Sequence, residues 1–332
     1  MNIHSIYEEI IEKYKDKKFL PKPEFVERIA LLLKNKADIL AFFDKCYEPT
    51  LFSIRANTIK IDIEKLKARL EAKWQIEWQK KYGLEEAFVI KTILDAGELG
   101  KALEHRLGYY YVQSLSSMLP SKVLMPEENS LILDCCAAPG SKTTHMAALM
   151  KNTGLIIAND ISWYRNIALA SNLQRCGITN TVITSMPIQK LSKLLVAKIK
   201  FDFILVDAPC SNEGTIRKNI AIFKTWNKKL SLWLSKQQKS ILINALRLLK
   251  NDGILVYSTC TLSPLENEAV IDYALKRFPI KLLPIKLKIK TRKGITKWKN
   301  KEYSKELKKA VRIYPQDFDS EGFFIAKIKM EK

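Results

Sequence analysis

Residues 131–150 read LILDCCAAPGSKTTHMAALM and contain the pattern that decides the fold. Leu131–Cys135 predicts a short buried strand, and Thr143–Met150 predicts a helix. Between them lies a turn rich in small residues, Ala137–Lys142, which lets a ligand approach the backbone closely and meet the start of the helix. The turn matches neither GxGxxG nor GxxxxGK followed by Ser or Thr, so neither a dinucleotide nor ATP is indicated.

The same order of strand, turn and helix repeats towards the C-terminus. This alternation is typical of an α/β fold with a parallel sheet and crossover helices. Asp160 follows the second strand, where its carboxylate can hold both hydroxyls of a ribose or cap the next helix. The further predicted strands are Leu155–Asn159, Thr181–Thr184, Phe201–Val206 and Ile254–Tyr257, and the helices are Trp163–Cys176 and Trp226–Leu249.

Two cysteines lie just past the ends of consecutive predicted strands. Cys210 ends the sequence Asp-Ala-Pro-Cys, and Cys260 lies within Ser-Thr-Cys-Thr. The carboxyl ends of strands are where ligands gather in open α/β sheets, and neighbouring strands are only about 5 Å apart. We therefore expect both thiols to face one ligand, with a stabilised thiolate as a nucleophile. The alternative is a small, buried core residue, which is how most free cysteines behave.

The first 104 residues follow a different pattern and predict a small α+β domain that contacts the substrate, while residues 105–332 form the second domain. Apolar residues recur at helical spacing near the N-terminus, and a β-α-β-like unit follows them. The predicted elements are helices within residues 1–48, an extended segment at 50–61, a helix at 62–73 and strands at 74–78 and 87–93. At the start of the second domain, the predictions are a strand over Tyr109–Gln113 and a helix over Ser114–Leu124.

The charge of the chain indicates a polyanionic partner. Lys and Arg number 56 against 35 Asp and Glu, which gives a net charge of +21, and such an excess favours phosphate contacts. A lysine-rich proteome is the alternative, but the acidic residues do not keep pace here. Residues 276–312 are the most basic part of the chain. Within them Pro284–Lys290 alternates apolar residues with lysine, which predicts a strand with either a solvated or a phosphate-binding face.

Several classes of protein are disfavoured by what the sequence lacks. The six cysteines include no C-x-x-C pair, and the three histidines are scattered, so no zinc site is predicted. No signal-peptide core and no apolar run of membrane-spanning length are found. Free thiols in a reducing, cytoplasmic setting are the simplest interpretation.

Six segments, quoted in chain order, carry a set of motifs: SIRANTIK, GYYYVQSLSSMLP, LILDCCAAPGSKTTHMA, FDFILVDAPCSNEGTIRKN, GILVYSTCTLSPLENEAVI and RIYPQDFDSEGFFIAKI. Together they resemble the Sun-family (RsmB-like) RNA cytosine-5 methyltransferases, and the resemblance covers most of the chain from Thr50 onward. It implies a Rossmann-like sheet that binds S-adenosylmethionine, with residues 1–104 as an N-terminal RNA-binding domain and residues 105–332 as the catalytic domain.

The resemblance also implies roles for individual residues. Cys260 would be the nucleophile that attacks cytosine C6, and Cys210 would assist elimination and product release. Asp207 would donate to cytosine N3 when protonated, and Lys142 would reach the target base. The residues implied in cofactor binding are Cys136, Ala137, Ala138, Pro139, Gly140, Ser141 and Lys142 for the methionine part, Asp160 for the ribose, and Arg165 and Asp207 beside them.

Three positions depart from the family's pattern. Ser141 stands where the family usually has a second glycine, and Asn212 replaces a glycine after Pro-Cys-Ser, which predicts an altered loop beside Cys210. The third strand runs into residues 184–187, Thr-Ser-Met-Pro, where the family commonly places an aspartate on the adenine amino group. Loss of one charged hydrogen bond predicts weaker cofactor binding, by about 1.5–3 kcal/mol.

The resemblance favours tRNA as the substrate, because the chain matches the compact layout of archaeal-type tRNA members. Ribosomal RNA is the alternative substrate. Two other classes are an RNA-binding assembly factor without turnover and a DNA methyltransferase, in which the Pro-Cys cysteine is the nucleophile. Retention of both Cys210 and Cys260 favours an active RNA enzyme, which we expect to be a monomer without a metal or a membrane partner.

Overall fold

The structure is a computed structural model that describes residues 2–95 and 97–331. Met1 and Lys332, the outer limits of the two predicted domains, lie outside the described residues. The chain begins with helices α1 (Ile3–Tyr14), α2 (Pro23–Leu33) and α3 (Lys36–Tyr47).

These N-terminal helices are amphipathic, and their apolar faces pack on one another and on the C-terminal part of the chain (residues 115–331). Phe25 of α2 contacts Phe223 and Trp226 edge to face, with ring centroids 5.6 and 5.4 Å apart. All three side chains are buried. The helices and the C-terminal part therefore share one apolar core.

A small antiparallel sheet follows the helices. Over the described residues it has four strands in the order β2-β3-β1-β4, and α4 packs on it through Leu66 and Leu70. The predicted β-α-β-like unit is thus antiparallel, and β4 comes from beyond residue 104, so the domain boundary at 104 stays a prediction. The elements are β1 (Ser53–Ala56), α4 (Ile63–Glu71), β2 (Ile76–Trp78), β3 (Ala87–Ile90), α5 (Glu98–Lys101), α6 (Leu103–Arg106) and β4 (Tyr110–Val112).

The C-terminal part alternates strands and helices, as predicted. Its elements are α7 (Leu115–Leu124), β5 (Leu131–Asp134), α8 (Ser141–Leu149), β6 (Leu155–Asn159), α9 (Trp163–Cys176), β7 (Thr181–Thr184), α10 (Ile188–Leu195), β8 (Phe201–Asp207), α11 (Ile222–Thr225), α12 (Lys228–Leu246) and β9 (Leu249–Thr259). Then come α13 (Glu268–Leu275), β10 (Ile280–Leu283), β11 (Arg292–Lys293), β12 (Lys297–Trp298), β13 (Lys301–Glu302), β14 (Val311–Ile313) and β15 (Phe323–Met330).

The main sheet has nine strands within the described residues. Its order is β11-β14-β15-β9-β8-β5-β6-β7, with β10 paired to β15. The five adjacent strands β9, β8, β5, β6 and β7 are parallel to one another, whereas β15 is antiparallel to β9 and to β14. Buried strands with helices on both faces read as continuous apolar runs, which is why ILVY and FILV are visible in the sequence. The predicted Rossmann-like α/β fold and the closing hairpin are both confirmed.

One predicted strand is wrong. Pro284–Lys290 forms no strand, and the strand nearby is β10, which ends immediately before Pro284. The apolar residues that alternate with lysine in this segment face the core without pairing to another strand: Ile289 is buried, and Ile285 and Leu287 pack against the core. Proline also lacks the N–H that a strand ladder needs.

The basic segment 276–312 is partly neutralised within the fold. Arg312 is fully buried and donates to both carboxylate oxygens of Glu268, at 2.7 and 2.5 Å. Arg292 lies between Asp38 and Asp317. These arginines are structural, so the exposed lysines of the segment remain the candidates for phosphate contact.

Arg55 joins the small sheet to the C-terminal part of the chain. Its guanidinium donates to Gln113 Oε1, to the backbone oxygen of Ser141 at 2.6 Å and to Thr144 Oγ1 at 2.8 Å. Burial lowers the pKa of Arg55 to about 10, which still leaves it charged near neutral pH. The strand β1 that contains Arg55 therefore anchors the first turn of α8.

None of the helices over residues 2–95 and 97–331 combines the length and the apolar composition that a membrane crossing requires.

Candidate active site

A cavity of about 420 Å³ opens at the carboxyl ends of the parallel strands, beside β5 and β8. The strand order reverses here, because β6 and β7 lie on one side of β5 while β8 and β9 lie on the other. Ligands bind at such switch points, and the volume falls within the roughly 300–1,000 Å³ of small-molecule sites. The predicted residues that line the cavity are Cys136, Ala138, Asp160, Arg165, Asp207, Cys210 and Cys260.

The loop after β5 keeps the conformation that its small residues allow. Gly140 caps α8 with a φ of +103°, which L side chains rarely adopt. A Cβ there would also lie 3.0 Å from Leu169 Cδ1. Ser141 is the first residue of α8, so replacing a glycine at this position leaves the turn intact.

Asp160 connects this loop to the start of α9. Its Oδ2 accepts from the Ala138 N–H at 3.3 Å and lies 3.1 Å from the Arg165 guanidinium, while its Oδ1 accepts from the Ser162 N–H at 3.0 Å. The residue that caps α9 is Ser162. Asp160 therefore holds the loop after β5 in place at the cavity wall, the position from which a ribose contact is predicted.

The cavity wall after β7, where the family commonly has an aspartate that contacts adenine, contains a side-chain amide instead. Met186, Pro187 and Gln189 line the cavity after β7. The Gln189 Nε2 donates to Ser240 Oγ of α12 at 2.8 Å, which leaves the amide oxygen as an acceptor. Sequence reasoning missed Gln189, because nothing in the sequence indicates that α12 holds its side chain.

The two thiols meet where β8 and β9 end. These strands are parallel neighbours, with Asp207 opposite Ser258, and the sulfurs of Cys210 and Cys260 lie 3.2 Å apart. The hydrogen bond with Cys260 and burial raise the pKa of the Cys210 thiol well above its usual range, and the charge of Glu266 adds to this effect. The predicted juxtaposition of the two cysteines is confirmed.

Lys142 reaches across the end of the sheet to Asp207. Its Nζ donates to Asp207 Oδ2 at 2.6 Å and to Ser117 Oγ at 3.0 Å, and Asp207 Oδ1 accepts from Ser258 Oγ at 2.7 Å. Burial alone would lower the pKa of Lys142, but the charge and hydrogen bond of Asp207, with further help from Cys260, raise it. The site thus holds a buried ammonium beside the thiol pair.

Glu266 links the loop that contains Cys210 to the loop that contains Cys260. Its carboxylate accepts from the Ser211 N–H at 2.9 Å, from Ser211 Oγ at 2.6 Å and from Gln238 Nε2 at 3.1 Å. Ser211 in turn contacts Thr261 Oγ1 at 2.8 Å. Because Ser211 and Thr261 each follow a cysteine, this network fixes the separation of the thiols. Sequence reasoning missed it; the acidic LENE run after the Thr-Cys motif was the available signal.

A family model described as 16S rRNA methyltransferase RsmB/F matches residues 121–329, and one described as the N-terminal domain of 16S rRNA methyltransferase RsmF matches residues 20–115. The chain belongs to the RsmB/RsmF family. The predicted enzyme class, an RNA methyltransferase that uses S-adenosylmethionine, is confirmed with this assignment.

Two relatives illustrate the range of this family. The chain is 42% identical over 291 residues to a tRNA (cytosine(49)-C(5))-methyltransferase of Pyrococcus abyssi, covering 87% of this chain and 91% of the relative. It is 37% identical over 316 residues to a ribosomal RNA small subunit methyltransferase F of Psychromonas ingrahamii, covering 93% of this chain and 63% of the relative. The chain thus spans less than two thirds of that longer protein.

Solved structures of similar proteins share this fold. A methyltransferase homologue from Pyrococcus horikoshii superposes with a TM-score of 0.80 at 32% identity, covering 97% of this chain and 99% of that one. NSun6 from the same organism, solved with the S-adenosylmethionine analogue SFG, has a TM-score of 0.78 at 26% identity, covering 92% and 97%.

The site of this RsmB/RsmF-family chain suits the cofactor. The cavity is concave, adjoins a small-residue loop and is bordered by the buried Asp160 carboxylate. Of the predicted loop, Cys136 and Ala138 line the cavity, whereas Ala137, Pro139, Gly140 and Ser141 lie outside its lining and Lys142 points to Asp207. Within the described residues, no cluster of three or more His, Cys, Asp or Glu side chains is arranged to hold a metal ion.

Proposed function

We propose that this protein methylates cytosine C5 in tRNA through a covalent bond between Cys260 Sγ and C6 of the base. The observation that carries the proposal is the pair of sulfurs, 3.2 Å apart, beside the switch-point cavity. A tRNA substrate is favoured because the relative named for tRNA is matched over 91% of its length, against 63% for the ribosomal RNA relative. Ribosomal RNA is the alternative.

Cys260 makes the base reactive, because cytosine C5 is a poor nucleophile on its own. Its thiolate forms the S–C6 bond, and the electron pair of the C5–C6 double bond shifts into the ring. When bound, the cofactor supplies a methyl group on a sulfonium, which C5 takes. Loss of the C5 proton and cleavage of the S–C6 bond then restore the double bond and return the Cys260 thiolate.

Lys142 and Asp207 stabilise the negative charge that builds on the N3 and O2 edge of the ring. A buried ammonium acts strongly there, because the surroundings exclude water. In the structure Asp207 accepts from both Lys142 and Ser258, as a carboxylate does. A protonated Asp207 that donates to N3 takes its proton from solvent, while Lys142 keeps its proton and its charge.

Cys210 acts after the methyl transfer. In the free pair, the hydrogen bond with Cys260 is the main cause of its raised pKa. In the covalent adduct Cys260 is a neutral thioether, so this cause is gone and Cys210 can release its proton to solvent. The Cys210 thiolate then takes the C5 proton as the S–C6 bond breaks, which restores the starting thiol–thiolate pair.

The cofactor would be held by the loop after β5 and the wall opposite it. The backbone of residues 136–142 would hold its methionine part, and Asp160 would accept from the ribose hydroxyls, with Arg165 and Asp207 beside it. Gln189 would accept from the adenine amino group, in place of the aspartate that the family commonly has. Its orientation by Ser240 supports this role.

The RNA must present an unpaired or flipped cytosine to reach Cys260. Residues 1–104 and the exposed lysines of the +21 chain would hold the flanking RNA. We expect a cytoplasmic monomer.

Alanine substitution of each cysteine tests the mechanism. With RNA and S-adenosylmethionine, Cys260→Ala should abolish both methylation and the covalent RNA adduct, while Cys210→Ala should trap an adduct that survives denaturing electrophoresis. Cys46→Ala, a buried cysteine of α3, is the matched control. Robust methylation by Cys260→Ala would contradict the mechanism, and an adduct trapped by Cys260→Ala would reverse the two roles. Mapping 5-methylcytosine in tRNA and ribosomal RNA, with and without the gene, separates the substrates.

A further inference from the structure

The loop between the two cysteines contains a residue whose backbone is normally reserved for glycine. Asn212 has φ +57° and ψ 23°, the left-handed conformation. Asparagine is one of the few residues with a side chain that tolerates this conformation. The loop can therefore keep a glycine-like path even though glycine is replaced, and Asn212 adds a side chain beside the thiols.

The Asn212 amide contacts both sulfurs. Its Oδ1 lies 3.0 Å from Cys260 Sγ and 3.8 Å from Cys210 Sγ, and Asn212 also lines the switch-point cavity. The sulfur–oxygen contact suits a protonated Cys260, whose S–H donates to the amide. A rotation of the Asn212 amide by half a turn about its last side-chain torsion places Nδ2 where Oδ1 now lies. The N–H group of Nδ2 can then donate to a thiolate.

We propose that Asn212 is a catalytic residue whose amide accepts from the Cys260 thiol and, once that thiol has lost its proton to solvent, makes this half turn and donates to the Cys260 thiolate. This inference rests on the proposed function, in which Cys260 is the nucleophile. A hydrogen bond to the charged form of an acid favours that form. The amide thus stabilises the attacking thiolate, and it is released when Cys260 bonds to C6.

The charged groups around the thiols act on them from different sides. The Lys142 ammonium interacts electrostatically with Cys260, and it is itself paired with Asp207. Glu266 acts on Cys210 and faces Glu213, which is paired with Arg28. Asn212 is neutral, and its Oδ1 contacts the Cys260 sulfur directly, so its removal changes the surroundings of the thiol without changing these charges.

The test is the pH profile of iodoacetamide alkylation at Cys260 in the full chain, followed by peptide mass spectrometry without RNA or cofactor. Asn212→Gly and Asn212→Ala both remove the amide and should move the midpoint of the profile upward by about half to one pH unit, which slows alkylation near neutral pH by roughly three- to tenfold. Asn212→Asp should move it furthest, because it removes the donor and adds a negative charge. Asn129→Gly is the matched control, since Asn129 has the same left-handed backbone (φ +62°) remote from the thiols.

An unshifted profile in both Asn212→Gly and Asn212→Ala overturns the inference. A shift in Asn212→Ala alone also overturns it, because that result comes from backbone strain at a positive φ. Neither outcome bears on Cys260→Ala, whose loss of methylation tests the proposed function separately.

Discussion

Lys142 Nζ lies 2.6 Å from Asp207 Oδ2, across the gap between the loop after β5 and the end of β8. The lysine side chain is only 8% exposed, so the ion pair connects the cofactor loop to the Pro-Cys motif inside a water-poor site. It also places a fixed positive charge beside the base that Cys260 is proposed to attack.

Replacing this lysine should stop the reaction while the fold persists. Lys142→Met keeps the apolar stem but leaves Asp207 without its ammonium and the ring without its positive charge. We expect single-turnover methylation to fall by about 10²–10³-fold, together with loss of the adduct that Cys210→Ala traps. Lys329→Met, at a half-buried lysine of β15 that pairs with Asp252 far from the cavity, should leave both unchanged. Normal turnover by Lys142→Met would remove this residue from the mechanism.

The same ion pair predicts how the site responds to alkaline pH. The pKa of Lys142 is raised above 10.5, chiefly because Asp207 outweighs the opposing effect of burial. A lysine with a raised folded-state pKa contributes stability that is complete below its unfolded pKa and is lost only as pH rises through the higher folded value. Lys142 should therefore stay charged at pH 9, which ¹⁵N-detected NMR of the labelled ammonium can check. Deprotonation below pH 9 would contradict the raised pKa.

Gln189 should contribute to cofactor affinity through one neutral hydrogen bond. Gln189→Ala should weaken binding of S-adenosylhomocysteine by about three- to tenfold in calorimetry. Gln189→Glu keeps an acceptor oxygen and should retain the affinity. Gln174→Ala, at an exposed glutamine of α9, is the control. Equal affinities of Gln189→Ala and the unaltered chain would place the adenine contact elsewhere.

The cysteine sites could be predicted from sequence because their positions follow from local patterns. Short apolar runs define β8 and β9, and a parallel sheet brings the ends of such strands together at one edge, so Cys210 and Cys260 are brought together by topology alone. The small-residue turn ending at Gly140 is local in the same way, since its positive φ is a property of that residue.

The supporting contacts could not be predicted, because they join distant parts of the chain. Glu266 contacts Gln238 from α12, and Arg292 binds Asp38, which lies 254 positions earlier. Such pairs depend on how helices pack, and a single sequence gives no pattern for them. The failed strand at Pro284–Lys290 has the same origin, because alternation reports which side chains are buried but not whether a partner strand is present.

Glu266 should control the reactivity of Cys210. Its charge adds to the hydrogen bond and burial that raise the pKa of Cys210, and Glu266→Gln removes this charge at nearly constant shape. We expect faster iodoacetamide alkylation of Cys210 near pH 8 and a melting temperature lower by a few degrees, because an amide cannot accept from Ser211 at both positions. Glu128→Gln, at an exposed pair with Lys151, is the control. Unchanged Cys210 alkylation would separate Glu266 from the thiol pair.

Asp134 should make the stability of the fold depend on pH. Its side chain is buried at the end of β5. Burial raises the pKa of Asp134 to about 7, and the charge of Asp207 adds to this effect, while the hydrogen bond accepted from Thr143 Oγ1 at 2.7 Å acts in the opposite direction. Between its unfolded pKa of 3.8 and about 7, the folded chain holds this proton more tightly than the unfolded chain. The free energy of unfolding should therefore fall as pH rises through this window, by about 2–3 kcal/mol between pH 5 and pH 8.

Asp134→Asn mimics the protonated acid, so its free energy of unfolding, measured with urea, should lack that part of the pH dependence. Asp16→Asn, at an exposed residue, should keep it. Equal slopes for Asp134→Asn and the unaltered chain would show that Asp134 is ionised in the folded state across this range.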